Sequence, residues 1–157
     1  ISSISPGGWR DEFSRMTARE PAGETARHRV LIVDDEESTR LLVARILTTV
    51  LKAEVTLAGT CEQALRLAGD GAYDAILLDL LMPGIGGYEV LKEIRRHSPN
   101  AATPVIVVSV LADKVTRDRC MKAGATAYVV KPVERNSLVA TVKAQIAGHG
   151  KPKNTGK

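Results

Sequence analysis

The chain has 157 residues, 44% hydrophobic and 25% charged, with a formal net charge of +4. That is room for one ordinary domain with its own core and not comfortably for two; no apolar run approaches the ~20 residues of a membrane span. Two cysteines, Cys61 and Cys120, and three scattered histidines, His28, His97 and His149, lack metal-ligand spacing and argue against a zinc site or a disulfide framework. The positive excess lies at the ends. Residues 1–29 hold five Arg against four acids and residues 148–157 hold three Lys and no acid. The balanced stretch between them gives no net electrostatic reason to bind nucleic acid. With no signal-peptide pattern at the N-terminus, the expected location is the cytoplasm, away from membrane.

Residues 1–28 read as a flexible leader. Within it, Trp9, Phe13 and Met16 fall at i, i+4 and i+7, one apolar stripe on a short helix that ends before Pro21. That helix either docks on the domain or a partner, or is a frayed leader with Met16 as the natural start. Arg29 to Val33 is the first buried strand, and it runs straight into Asp34-Asp35-Glu36-Glu37. Four acids in a row repel one another, so something must hold them there. Glu36, Glu37 and Ser38 suit a helix N-terminus, continued at helical spacing by Leu41, Leu42, Arg45, Ile46 and Val50. Helix polarity does not account for Asp34 and Asp35.

Glu54 to Ala58 reads as the second strand, and Thr60 as the cap of a helix through about Ala68. Ala75 to Leu78 is a short apolar run of the kind buried on both faces of a parallel sheet; it ends in Asp79 and a Pro83-Gly84 turn. Asp79 is either a simple strand end or helix cap, or a carboxylate placed where open α/β sheets hold ligands. A helix follows from about Gly87 to His97, then a strand from Val105 to Val108 ending in Ser109. A polar helix runs from about Asp113 to Lys122 and stops at Gly124. Ala127 to Val130, closed by Lys131-Pro132, is the last strand, and a helix from about Glu134 to Ala147 the last element. Residues 148–157 read as a flexible basic tail. Strands and helices alternate five times, which implies an α/β fold with a doubly wound, five-stranded parallel sheet.

Asp34/Asp35, Asp79, Ser109 and Lys131 all stand at strand ends, which a parallel sheet gathers on one edge. Three carboxylates, a hydroxyl and a lysine there suit a hard cation such as Mg²⁺ that keeps some of its waters. They leave a place for a phosphoryl group neutralised on its other side by Lys131, an arrangement fit for phosphoryl transfer.

These motifs, in this order and in register with the expected strands, resemble the receiver domain of two-component response regulators over about residues 29–147. The resemblance implies a flavodoxin-like (βα)5 fold and a phosphoacceptor switch that is not otherwise an enzyme. By its pattern Asp79 takes a phosphoryl group from a sensor histidine kinase or phosphotransfer protein. Asp35, Asp79 and the Leu81 carbonyl bind Mg²⁺, Asp34 orients a metal-bound water, Ser109 donates to the phosphoryl group and Lys131 pairs with it. The Lys131-Pro132 bond is expected to be cis, and Tyr128 matches the aromatic that moves inward with Ser109. A downstream effector or output domain, or a second copy of the chain, is the implied reader, on a face bearing Lys114, Arg117, Asp118, Lys122 and Arg135.

The chain departs from the family's pattern at Val110, where a small residue is usual and where bulk is expected to crowd Asp79. It departs also at Leu81 and Leu111, where a polar residue often governs water attack. Two other classes compete. A haloacid-dehalogenase-type phosphatase would want an acid at Leu81, and an interaction module working without phosphorylation would lack one of the acids or the lysine. The sequence leaves open a stand-alone receiver or one cut from a longer regulator.

Overall fold

The computed structural model describes residues 27–150, and the expected leader helix at Trp9–Met16 and the tail from residue 151 lie outside them. Aliphatic and β-branched runs form five strands: β1 (Arg29–Val33), β2 (Glu54–Ala58), β3 (Ala75–Leu78), β4 (Val105–Ser109) and β5 (Ala127–Val130). Between and after them come α1 (Glu37–Leu51), α2 (Cys61–Asp70), α3 (Gly86–His97), α4 (Lys114–Ala123) and α5 (Arg135–Gly150). All strand pairs are parallel, in the order β2-β1-β3-β4-β5. That order reverses direction between β1 and β3, which opens a crevice beyond the strand C-termini there.

Alternate residues of the central strands point to opposite faces, so one sheet builds two cores. Leu31, Val33, Ile76, Leu78, Val105 and Val107 pack with Ala64, Val90, Leu91, Ile94 and Cys120 of α2, α3 and α4. Val30, Ile32, Leu77, Ile106 and Val108 pack with Val43 and Leu47 of α1 and Leu138 and Val142 of α5. Each fully buried aliphatic side chain of this kind contributes roughly 1.5–3 kcal/mol, which holds the strand ends in fixed relative positions.

Local signals set the helix ends. The Thr60 hydroxyl accepts from the Gln63 N–H at 3.1 Å while the Gln63 side chain accepts from the Gly59 N–H at 2.8 Å, a reciprocal cap on α2. Asp113 caps α4 by accepting from the Thr116 N–H, and Gly124 ends it at φ +119°. A side chain on Gly124 would also strike Arg95, whose guanidinium binds the carbonyls of Gly124, Asn100, Ala101 and Thr103.

Two expectations need correction. The face of α1 that packs is Val43, Ala44, Ile46 and Leu47, while Leu41, Leu42 and Val50 of the expected stripe stand exposed. The last helix begins at Arg135 and continues to Gly150, past the expected end at Ala147. Among the described residues, no helix is long and apolar enough to cross a membrane.

Candidate functional site

The parallel ladder continues one step past the strands and fixes where their polar ends lie. The Asp34 N–H bonds Ala58 O at 3.1 Å, the Asp79 N–H bonds Val33 O at 3.0 Å, and the Lys131 N–H bonds Ser109 O at 2.8 Å. Backbone pairing thus delivers Asp34, Asp79, Ser109 and Lys131 to one edge from distant parts of the chain. Asp34 and Asp79 are only 4% and 5% exposed, and Ser109 is fully buried. Charges this deep require partners.

Lys131 supplies the main one. Its Nζ lies 2.9 Å from Asp34 Oδ2 and 3.3 Å from Asp79 Oδ2, and 3.9 Å from Glu36 Oε1. The Lys131–Pro132 peptide is cis, as expected. The remaining oxygens take backbone donors: Asp34 Oδ1 accepts from the Glu36 N–H at 2.9 Å and Asp79 Oδ1 from the Leu81 N–H at 3.2 Å. Burial, and then the charge of Asp34, push the Asp79 carboxyl above its ordinary range; Lys131 and the Leu81 N–H oppose this without cancelling it. Burial works against the Lys131 cation, but bonds to Asp34 and the charge of Asp79 outweigh it, so its pKa is raised and it stays charged.

Asp35 is exposed beside this pair, and carboxylate oxygens of Asp34, Asp35 and Asp79 lie within 4.8 Å of one another. Two oxygens on one Mg²⁺ sit up to about 4.2 Å apart, twice the ~2.1 Å bond length. The set therefore fits a hard cation after a small inward turn, or with a water completing the reach.

On the other side, the Leu111 peptide joins the two expected switch residues. Ser109 Oγ accepts from the Leu111 N–H at 3.1 Å, and the Tyr128 hydroxyl donates to Leu111 O at 2.6 Å. Tyr128 is half-buried with Arg117 5.2 Å over its ring, and burial pushes its hydroxyl pKa up, keeping it a donor. The Leu111 side chain is half-buried and packs against the core alongside Tyr128. Val110 is 57% exposed and Leu81 52% exposed.

Three contributors escaped the sequence reading. Arg40 donates to Asp34 O at 2.6 Å and holds the acidic turn, and Glu36 presents its N–H to Asp34. Gly87 lies so close to Asp79 that an added Cβ would overlap the Asp79 carbonyl oxygen and come within 2.7 Å of Leu80 Cα. The Gly86-Gly87 pair after Pro83-Gly84 was its available signal; for Arg40, a basic residue one turn into the helix is too common to be one.

The family model described as the response regulator receiver domain matches residues 30–143. A DNA-binding response regulator of Mycolicibacterium smegmatis is 34% identical over 126 residues, which cover 78% of this chain and 52% of that protein. A CheY-like response regulator receiver domain protein from Methanospirillum hungatei superimposes with a TM-score of 0.73 at 26% identity, covering 78% of this chain and 96% of its own. The receiver domain of a Pseudomonas aeruginosa sensor histidine kinase, with a magnesium ion coordinated in its active-site cleft, gives a TM-score of 0.71 at 31% identity, covering 78% and 99%. The chain spans about half the length of the curated relatives it matches.

Proposed function

The chain belongs to the response regulator receiver family, and from that premise we propose that Asp79 is its phosphoacceptor. In this reading an Asp79 carboxylate oxygen attacks the phosphorus of a kinase or phosphotransfer-protein phosphohistidine. The P–N bond breaks, its electron pair returns to the imidazole nitrogen, and an acyl phosphate forms on Asp79. The observation that carries the reading is the buried Asp34–Lys131–Asp79 bridge. Lys131 is already held where it can swing from carboxylate to phosphoryl oxygen.

Asp35, Asp79 and the Leu81 carbonyl would hold Mg²⁺, with Asp34 orienting a bound water. The ion, when bound, neutralises charge on the phosphoryl oxygens. Lys131 also favours the ionised form of Asp79 against the burial that raises its pKa. Ser109 turns its hydroxyl from the Leu111 N–H to the phosphoryl group. That releases one of the two bonds on the Leu111 peptide and loosens the anchor of Tyr128, which connects the chemistry to α4 and β5.

In this reading the receiver works in the cytoplasm. Its reader is an effector, an output domain or a second copy, met through α4, β5 and α5; the relative named as DNA-binding favours a transcriptional output in the whole protein. Incubation with acetyl phosphate and Mg²⁺ followed by intact mass tests the reading. Wild type should gain one phosphoryl group and Asp79→Asn none. An undiminished gain in Asp79→Asn would overturn it.

A further inference from the structure

A groove lies at the sheet edge opposite Asp79, between the C-terminal ends of α1 and α5. It encloses about 460 Å³ and is lined by His28, Val50, Leu51, Lys143, Ile146 and Ala147. That volume is within the ~300–1,000 Å³ of ligand-sized pockets, and its walls are largely aliphatic. Val50 is 37% exposed and Ile146 only half-buried. The phosphoacceptor reading makes no use of this surface.

We propose that the groove is the docking site of this chain's own N-terminal segment, with the Trp9–Phe13–Met16 stripe as the inserted face. The first argument is connectivity. His28 is itself part of the groove wall, so the preceding residues leave the domain at the rim. Residues 17–27 between Met16 and His28 can extend by about 3.3–3.6 Å each, ample to fold back across it. A tethered segment of this length meets the groove at roughly millimolar effective concentration without a partner.

The second argument is composition. The chain has one Trp and one Phe, and both lie in this segment, outside the matched domain. Aromatic side chains of this size bury roughly 150–250 Å² each when they find a pocket. The third is charge. On a helix carrying the stripe, Glu12 is three residues after Trp9 and four before Met16, so it shares the inserted face. Lys143 at the groove is its complement. The assignment is independent of the chemistry at Asp79, which lies at the other end of the strands.

Trp9, as the sole tryptophan, reports directly. In the full chain its emission should be blue-shifted from that of the urea-unfolded protein and protected from acrylamide. Val50→Glu, at an exposed helical position, should return the emission to the unfolded wavelength and raise quenching several-fold. In parallel, Trp9→Ala should shift the methyl NMR signals of Val50 and Ile146, a readout that holds even if Val50→Glu perturbs α1. Both effects should persist on dilution with a monomeric mass in sedimentation. Unfolded-like Trp9 emission in wild type, or unmoved Val50 and Ile146 methyls in Trp9→Ala, would overturn the proposal. A blue shift lost on dilution together with a dimeric mass would overturn it too, giving the groove to a second copy.

Discussion

At Asp79 two opposing effects act on one carboxyl: burial and Asp34 resist its charge, while Lys131 and the Leu81 N–H favour it. The net result is a folded pKa above the ordinary 3.8, so the folded state binds more protons than the unfolded one across that window. Stability contributed at this site therefore falls as pH rises through the window and stays reduced at neutral pH. Asp79→Asn should raise the metal-free Tm at pH 7, with the difference shrinking below the ordinary carboxylate pKa; an equal or lower Tm at pH 7 would contradict the assigned electrostatics. Asp34 is different, because it is bonded to Lys131 and the Glu36 N–H, and its removal leaves Lys131 only the longer contact to Asp79. The cleaner metal variant is exposed Asp35→Asn, expected to weaken Mg²⁺ binding in calorimetry while changing stability by no more than about 0.5 kcal/mol. Leu81, exposed and apolar at the rim, offers no hydrogen bond to hold an attacking water. Leu81→Asn should shorten the acyl-phosphate lifetime, followed by mass, and identical decay in the two proteins would refute the role. Leu111→Glu is a less clean variant, since that side chain is half-buried against the core.

At the scale of elements, precision comes from backbone approach and caps. α3 starts where the Gly87 N–H meets Leu80 O at 3.0 Å, and only glycine fits against the Asp79 carbonyl. Gly87→Ala must push α3 off the Asp79 loop, at a cost of about 3 kcal/mol by overpacking. Urea denaturation checks it; a loss near zero would mean the turn yields freely. Thr60→Ala should cost the usual ~1 kcal/mol of an N-cap and leave phosphorylation intact. These features also mark what the sequence discloses. Strand runs ending in Asp, Ser and Lys, and caps such as Thr60 and Asp113, are legible because the chemistry sits in side chains. The packed face of α1 is not, since Leu41, Leu42, Val43, Ala44, Ile46, Leu47 and Val50 put apolar groups on several sides. The sheet chooses among them. The Leu111 bridge is illegible for another reason: the Ser109 and Tyr128 hydroxyls meet on peptide atoms of Leu111, which carry no sequence signal.

In the molecule as a whole, a rigid sheet edge holds the charged site, and a weakly anchored helix stands beside it. Of α4 only Cys120 is buried, Val115 is 76% exposed, and the helix end is tied by Arg95 to Gly124 O. Elements with so few buried contacts yield first when a neighbouring bond changes. Beryllofluoride with Mg²⁺ should therefore move NMR signals from Ser109 and Leu111 through Tyr128 into α4, and shifts confined to the Asp79 loop would contradict transmission. All of this depends on Asp79 carrying the phosphoryl group, and reductive mapping tests that most directly. Protein phosphorylated by acetyl phosphate is treated with borohydride, which reduces an acyl phosphate to an alcohol, and its peptides are weighed. The account predicts homoserine at position 79 and nowhere else; reduction at Asp34 or Asp35 with position 79 unchanged would contradict it.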